Sequence, residues 1–153
     1  MRPRLSCLGV FLASCLLAGC ASTSRPFSYY HPGFKAPNPV LLEQKVAEIE
    51  KKDFGNIHIE LLAQSAYASH HLVVIRNAET LHKHEHHDGW AMIIKGEGNF
   101  LLDGKTIKLY PGSAVFIPRG MPHQATRTGK EPLAAFVIFT PPFDGVDTIP
   151  VTE

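Results

Sequence analysis

The rhythm of apolar and polar positions changes once along this 153-residue chain, near Gly55. Before it, Leu42, Val46 and Ile49 recur at helical spacing, with Glu43, Lys45, Glu48 and Lys52 on the other faces. Asn38 and Pro39 have the form of an N-cap and a first-turn proline, so the pattern predicts one short amphipathic helix ending by Gly55. After it the period becomes two. Ile57, Ile59 and Leu61 alternate with polar neighbours, and residues 72–75 and 91–94 are short apolar runs. Residues 100–102 and 106–109 flank Asp103-Gly104, a two-residue hairpin signal. Residues 113–117 lie between Pro111-Gly112 and Pro118-Arg119-Gly120, and a last β-rich stretch spans 133–139. Strands this short, broken regularly by Gly and Pro turns, predict an all-β sandwich, jelly roll or barrel.

The length suits one domain. Residues 1–19 stand apart: Arg2 and Arg4 precede an apolar stretch at 8–17, which is too short to span a bilayer as a helix. Leu17-Ala18-Gly19-Cys20 resembles the bacterial lipobox, which implies a lipoprotein signal peptide over 1–19 and a lipidated Cys20. Several acyl chains on one residue give stable anchoring, at roughly 0.8 kcal/mol per buried methylene. Ala21 after the cysteine implies the outer membrane, facing the periplasm. Residues 20–38, with Pro26, Pro32 and Pro37, read as lipidated Cys and extended tether, and 39–153 as the folded domain. Cys7 and Cys15 would leave with the signal, so the mature chain would hold no disulfide. A net charge of +1 gives no electrostatic footprint for nucleic acid.

Nine histidines are the compositional oddity, and four of them fall between residues 82 and 87. On an extended backbone His82, His84 and His86 share one face and His87 takes the other. Neutral imidazoles two residues apart can reach one ion, although a surface tract that binds metal adventitiously has the same composition. A second segment alters that balance. Gly112, Pro118, Gly120 and His123 place a strand start, a tight turn and a histidine at the head of the next strand. This segment resembles the second cupin motif, and the run from His82 to Gly96 resembles the first. On these motifs, which cover residues 82–127, the chain is identified as a member of the cupin superfamily, similar to small single-domain bacterial cupins.

The resemblance implies a single-domain cupin jelly-roll β-barrel holding one divalent metal ion (Fe, Mn, Zn, Ni or Cu alike). Its implied ligands are His82, His84, His123 and a carboxylate. The carboxylate position falls on Gly89, which has no side chain to offer. Asp88, His86 or His87 are the substitutes within reach, and a site of three histidines alone is the other alternative. Three-histidine sites occur in some cupin dioxygenases. If position 89 faces inward, Ala91 and Ile93 form an apolar wall beside the metal. Ala125 and Arg127 share the face of His123, and Arg127 is either a clamp for a substrate carboxylate or a rim arginine. Trp90 is expected to face away from the metal into the core or an interface, Met92 to fill the core, and His58, His70 and His71 to be structural or solvent-facing. No catalytic residue is assigned: Arg119 cannot act as a base, no Ser-His-Asp spacing stands out, and the general-base candidates left open are His86, His87 and Asp88. The functional expectation is a metal-binding cupin lipoprotein of the bacterial envelope that acts on or binds a small molecule. It could be a non-haem iron dioxygenase or an isomerase, or alternatively a non-enzymatic ligand- or metal-binding protein. A homodimer is implied by analogy.

Overall fold

The computed structural model describes residues 26–32 and 39–152, so Cys20, the lipobox and Asn38 lie outside the described residues. The described residues form twelve strands and one helix, in order β1 (Ser28–Tyr29), β2 (Val40–Leu41), α1 (Leu42–Glu50), β3 (Ile57–Gln64), β4 (Ser69–Ile75), β5 (His82–Lys83) and β6 (Asp88–Lys95). They continue with β7 (Gly98–Leu102), β8 (Lys105–Leu109), β9 (Ala114–Ile117), β10 (His123–Arg127), β11 (Leu133–Thr140) and β12 (Ile149–Pro150). Two five-stranded antiparallel sheets form, ordered β12-β5-β10-β7-β8 and β3-β4-β11-β6-β9. Their inner faces share one apolar cluster, with Val73, Ile93, Val137 and Phe139 from one sheet and Phe100, Leu109 and Ala125 from the other. This is the all-β arrangement that the alternating pattern predicted, and the jelly roll that the resemblance implied.

Turn chemistry sets the register. Asp103 (φ 48°) and Gly104 (φ 73°) both take positive φ in the β7–β8 hairpin, the signature of a type I′ turn. Gly96, at φ 80°, is required for a second reason: a Cβ there would stand 2.2 Å from the Pro132 carbonyl oxygen.

Helix α1 lies on the outer side of the second sheet. Val46 and Ile49 are fully buried against Leu72, Val74 and Ala134, and truncating Ile49 or Leu72 to alanine would cost roughly 2–5 kcal/mol. The helix begins later than its capping pattern suggested, with Leu41 at the N-cap position and no side-chain cap. Instead Leu42 N–H donates to Phe27 O (2.9 Å), and β1 pairs with β2 through Ser28↔Leu41 and Tyr29↔Val40. Tyr29 also bonds His70 Nδ1 at 2.7 Å. Residues 27–29, within the segment read as tether, therefore pack against β2 and α1. No described helix is long and apolar enough to cross a membrane.

Candidate metal centre

The site forms where β5 lies beside β10. His123, the first residue of β10, pairs directly with His82 of β5, bringing their ring centroids to 4.3 Å. The chain leaves strand geometry after Lys83, and His84 swings in at 5.0 Å from His82 and 5.2 Å from His123. All three are buried, and a ring nitrogen of each lies within 4.8 Å of those of the others. The turn of the second motif is pinned to the first, because Gly120 N–H donates to His84 O.

Each imidazole is oriented by its own Nδ1. His82 Nδ1–H donates to Thr80 O (2.8 Å), His123 Nδ1–H to Met121 O (2.9 Å), and His84 Nδ1–H to Asp147 O. These bonds fix the tautomer and leave three Nε2 lone pairs with no partner among the described residues, the outer-shell arrangement of metal-ligating histidines. Burial pushes His123 down to about 4, against the opposing Met121 carbonyl, and pushes His84 down against the Asp147 carbonyl. Both rings are therefore neutral at ordinary pH. Three converging imidazoles fit a divalent ion of the Fe–Zn series.

Apolar rings close the far side. Phe139 and Phe143 stack at 4.8 Å and meet His84 edge-on at 5.2 and 5.6 Å. Gly89 does face inward, where a Cβ would touch Ile117 and Phe139 at 3.5–3.7 Å. Hydrocarbon thus fills the space before the position that carries the carboxylate in the resemblance.

The proposed substitutes for that carboxylate are elsewhere. Asp88 points outward and pairs with exposed Arg119 (Oδ2 to NH2, 2.8 Å), which holds it below its usual range. The inward face at this point belongs to Gly89, the residue after it. His86 is exposed. His87 is buried, but both of its nitrogens face acceptors: Nδ1 the Asp147 carboxylate, Nε2 the Pro142 carbonyl. Among the described residues the cluster consists of three histidines.

Asp147 is the residue that sequence reasoning missed. Its buried carboxylate accepts Glu85 N–H (3.0 Å), His86 N–H (2.9 Å) and His87 Nδ1–H, while its carbonyl accepts from His84. Burial raises its pKa, but these donors outweigh it and bring it to about 2. It clamps the C-terminal segment to the histidine loop.

A cavity of about 200 Å³ opens beside the histidines, with mainly apolar walls that include Ala91, Ile93, Phe100 and Val115. Arg127 does not line it. It turns to the carbonyls of Gly129 (2.8 Å) and Lys130 (3.1 Å), closing the β10–β11 connection rather than meeting a substrate. Trp90 faces away from the histidines as expected, but is 53% exposed and tilts against Phe116 on the outer surface, so it is not core.

The Cupin domain family model matches residues 72–139, which contain all three histidines of the cluster. The chain belongs to the cupin superfamily. This cupin is 34% identical over 109 residues to an uncharacterized protein of Aquifex aeolicus, covering 69% of this chain and 89% of that one. Among solved structures it resembles KdgF from Halomonas (TM-score 0.56, 25% identity, covering 61% of this chain and 86% of that one). It also resembles a double-stranded β-helix protein of Klebsiella pneumoniae (TM-score 0.59, 17% identity, 71% and 95%), a likeness of fold alone.

Proposed function

We propose that this cupin binds one divalent metal ion through His82, His84 and His123 and acts on a small molecule in the adjoining cavity. The observation that carries this is the orientation of the triad: three buried rings, each anchored by Nδ1, present three unpaired Nε2 atoms to one point. With three protein ligands among the described residues, a bound ion would keep coordination positions free for a small molecule, the condition for chemistry rather than a structural metal. An ion held there would supply Lewis acidity or, as ferrous iron, redox chemistry with O₂. The protein's own work is to orient, through the Thr80, Met121 and Asp147 carbonyls, and to exclude water, through Phe139 and Phe143. Within this reading the finer assignment is a three-histidine non-haem iron dioxygenase. The largely apolar cavity also suits a carrier that binds without turnover.

Oxygen uptake by the iron-loaded chain with a catechol, a β-diketone and a thiol separates the two. Uptake that disappears in His84→Ala supports the dioxygenase; silence with all three, despite bound metal, favours the carrier. We also propose that the domain is tethered to the bacterial envelope through Cys20, on the strength of the Leu17–Cys20 lipobox pattern. Cys20→Ser should then move the protein from the membrane to the soluble fraction, and unchanged retention contradicts the anchor.

A further inference from the structure

We propose that Glu79 is the proton acceptor of the cavity: a small ligand that reaches the three-histidine centre through an ionisable hydroxyl passes its proton to the Glu79 carboxylate. This rests on the metal-binding reading above. Glu79 is the one carboxylate among the described residues lining the cavity. It lies between β4 and β5, three residues ahead of His82, and is held in place by three bonds. Its N–H donates to Ala125 O (2.9 Å), its carbonyl accepts from Gln124 Nε2 (2.7 Å), and its Oε2 accepts Ala125 N–H (2.9 Å). Ala125 follows His123 on the inner face of β10, so the carboxylate is fixed on the same wall as the triad. Among the described residues no hydrogen bond reaches its Oε1.

A carboxylate among apolar side chains with one N–H donor is costly for folding, and such groups mark functional sites. Burial raises the pKa of Glu79, more than the Ala125 N–H and the nearby His82 lower it, which strengthens the carboxylate as a base. The other titratable groups on the cavity wall are His82, His84 and His123.

The charge balance gives the group its task. Imidazole ligands bring no negative charge to a divalent ion, so an ionisable oxygen ligand is favoured there. When a phenol, enol or α-hydroxyketone binds, its O–H bond breaks and an O–H bond forms on Glu79. The negative charge moves from the carboxylate to the ligand oxygen, and the total charge is unchanged. The expected ligand is a small, mostly apolar molecule carrying such a hydroxyl.

The test uses the cobalt(II)-loaded chain with catechol as probe, reading cobalt per chain, catechol affinity and protons released in weakly buffered solution. Glu79→Gln keeps the shape and the bond to Ala125 as acceptor but cannot take a proton; Glu79→Asp is the conservative control. Loaded E79Q should release about one more proton per catechol than wild type and bind it roughly tenfold more weakly, with E79D between them. Equal affinity and proton count in loaded wild type and E79Q would overturn the role of Glu79 alone. A wild-type chain that takes up no cobalt overturns the metal reading and this proposal with it.

Discussion

Replacing Asp147 by asparagine tests how the site is held. The variant keeps the volume and one acceptor oxygen, but its NH2 cannot accept the bonds that Oδ2 takes from His86 N–H and His87 Nδ1–H. Two routes give the magnitude. A carboxylate lowered from 3.8 to about 2 contributes about 2 kcal/mol of stability at neutral pH, at 1.36 kcal/mol per unit. A buried donor left without a partner costs roughly 1–3 kcal/mol. D147N should therefore lose about 2–3 kcal/mol in urea unfolding of the metal-free chain followed by circular dichroism. Because the folded-state pKa is depressed, this stabilisation is complete above 3.8 and fades as pH falls towards 2. The gap between wild type and variant should narrow over that window. Since the same segment supplies the carbonyl that orients His84, metal affinity should also fall by roughly 10–100-fold. A gap under about 0.5 kcal/mol at pH 7, or one that persists unchanged at pH 2, would refute the clamp.

Three further outcomes follow from the geometry. In the metal-free chain the depressed pKa of His123 means that the unfolded state binds its proton first. Stability is then undiminished above 6.5 and falls by about 3 kcal/mol as pH drops to about 4, a slope that His123→Phe should flatten in acid titration of the melting temperature. Asp88→Asn should leave metal content unchanged and cost under about 1 kcal/mol, since it removes only an exposed pair with Arg119; loss of metal would restore Asp88 as a ligand. Gly96→Ala should destabilise by at least about 2 kcal/mol in urea unfolding, because it combines positive φ with a clash at the Pro132 carbonyl.

Local signals in the sequence were read where the physics is local. The Asp103-Gly104 turn, the inward face of Gly89, Ala91 and Ile93, and the apolar stripe of α1 all depend on neighbours within a few residues, and their periodicity was legible. The histidine triad was legible because two motifs marked both halves of it. What failed depended on distance or on the end of regular geometry. The alternation that put His86 beside His84 assumed an extended strand, yet β5 ends at Lys83 and the turn reverses which side chains are buried. Asp147 meets His87 across 60 residues, and nothing around it marks it as different from Asp144. Glu79 sits in a loop with no motif, exposed as a site residue only by the bridge between Ala78 and Thr126 that lays it along β10. Arg127 was placed on the right strand face, but the strand ends there and its side chain satisfies the carbonyls of the turn.

The central claim is that His82, His84 and His123 hold one metal ion without a carboxylate. It is tested most directly by elemental analysis of the full chain after reconstitution, beside His82→Ala, His84→Ala, His123→Ala and Asp88→Asn. The account predicts about one ion per chain in wild type and D88N, and less than about a tenth of that in each histidine variant that remains folded. A wild-type chain that stays metal-free, or folded histidine variants that load like wild type, would contradict it.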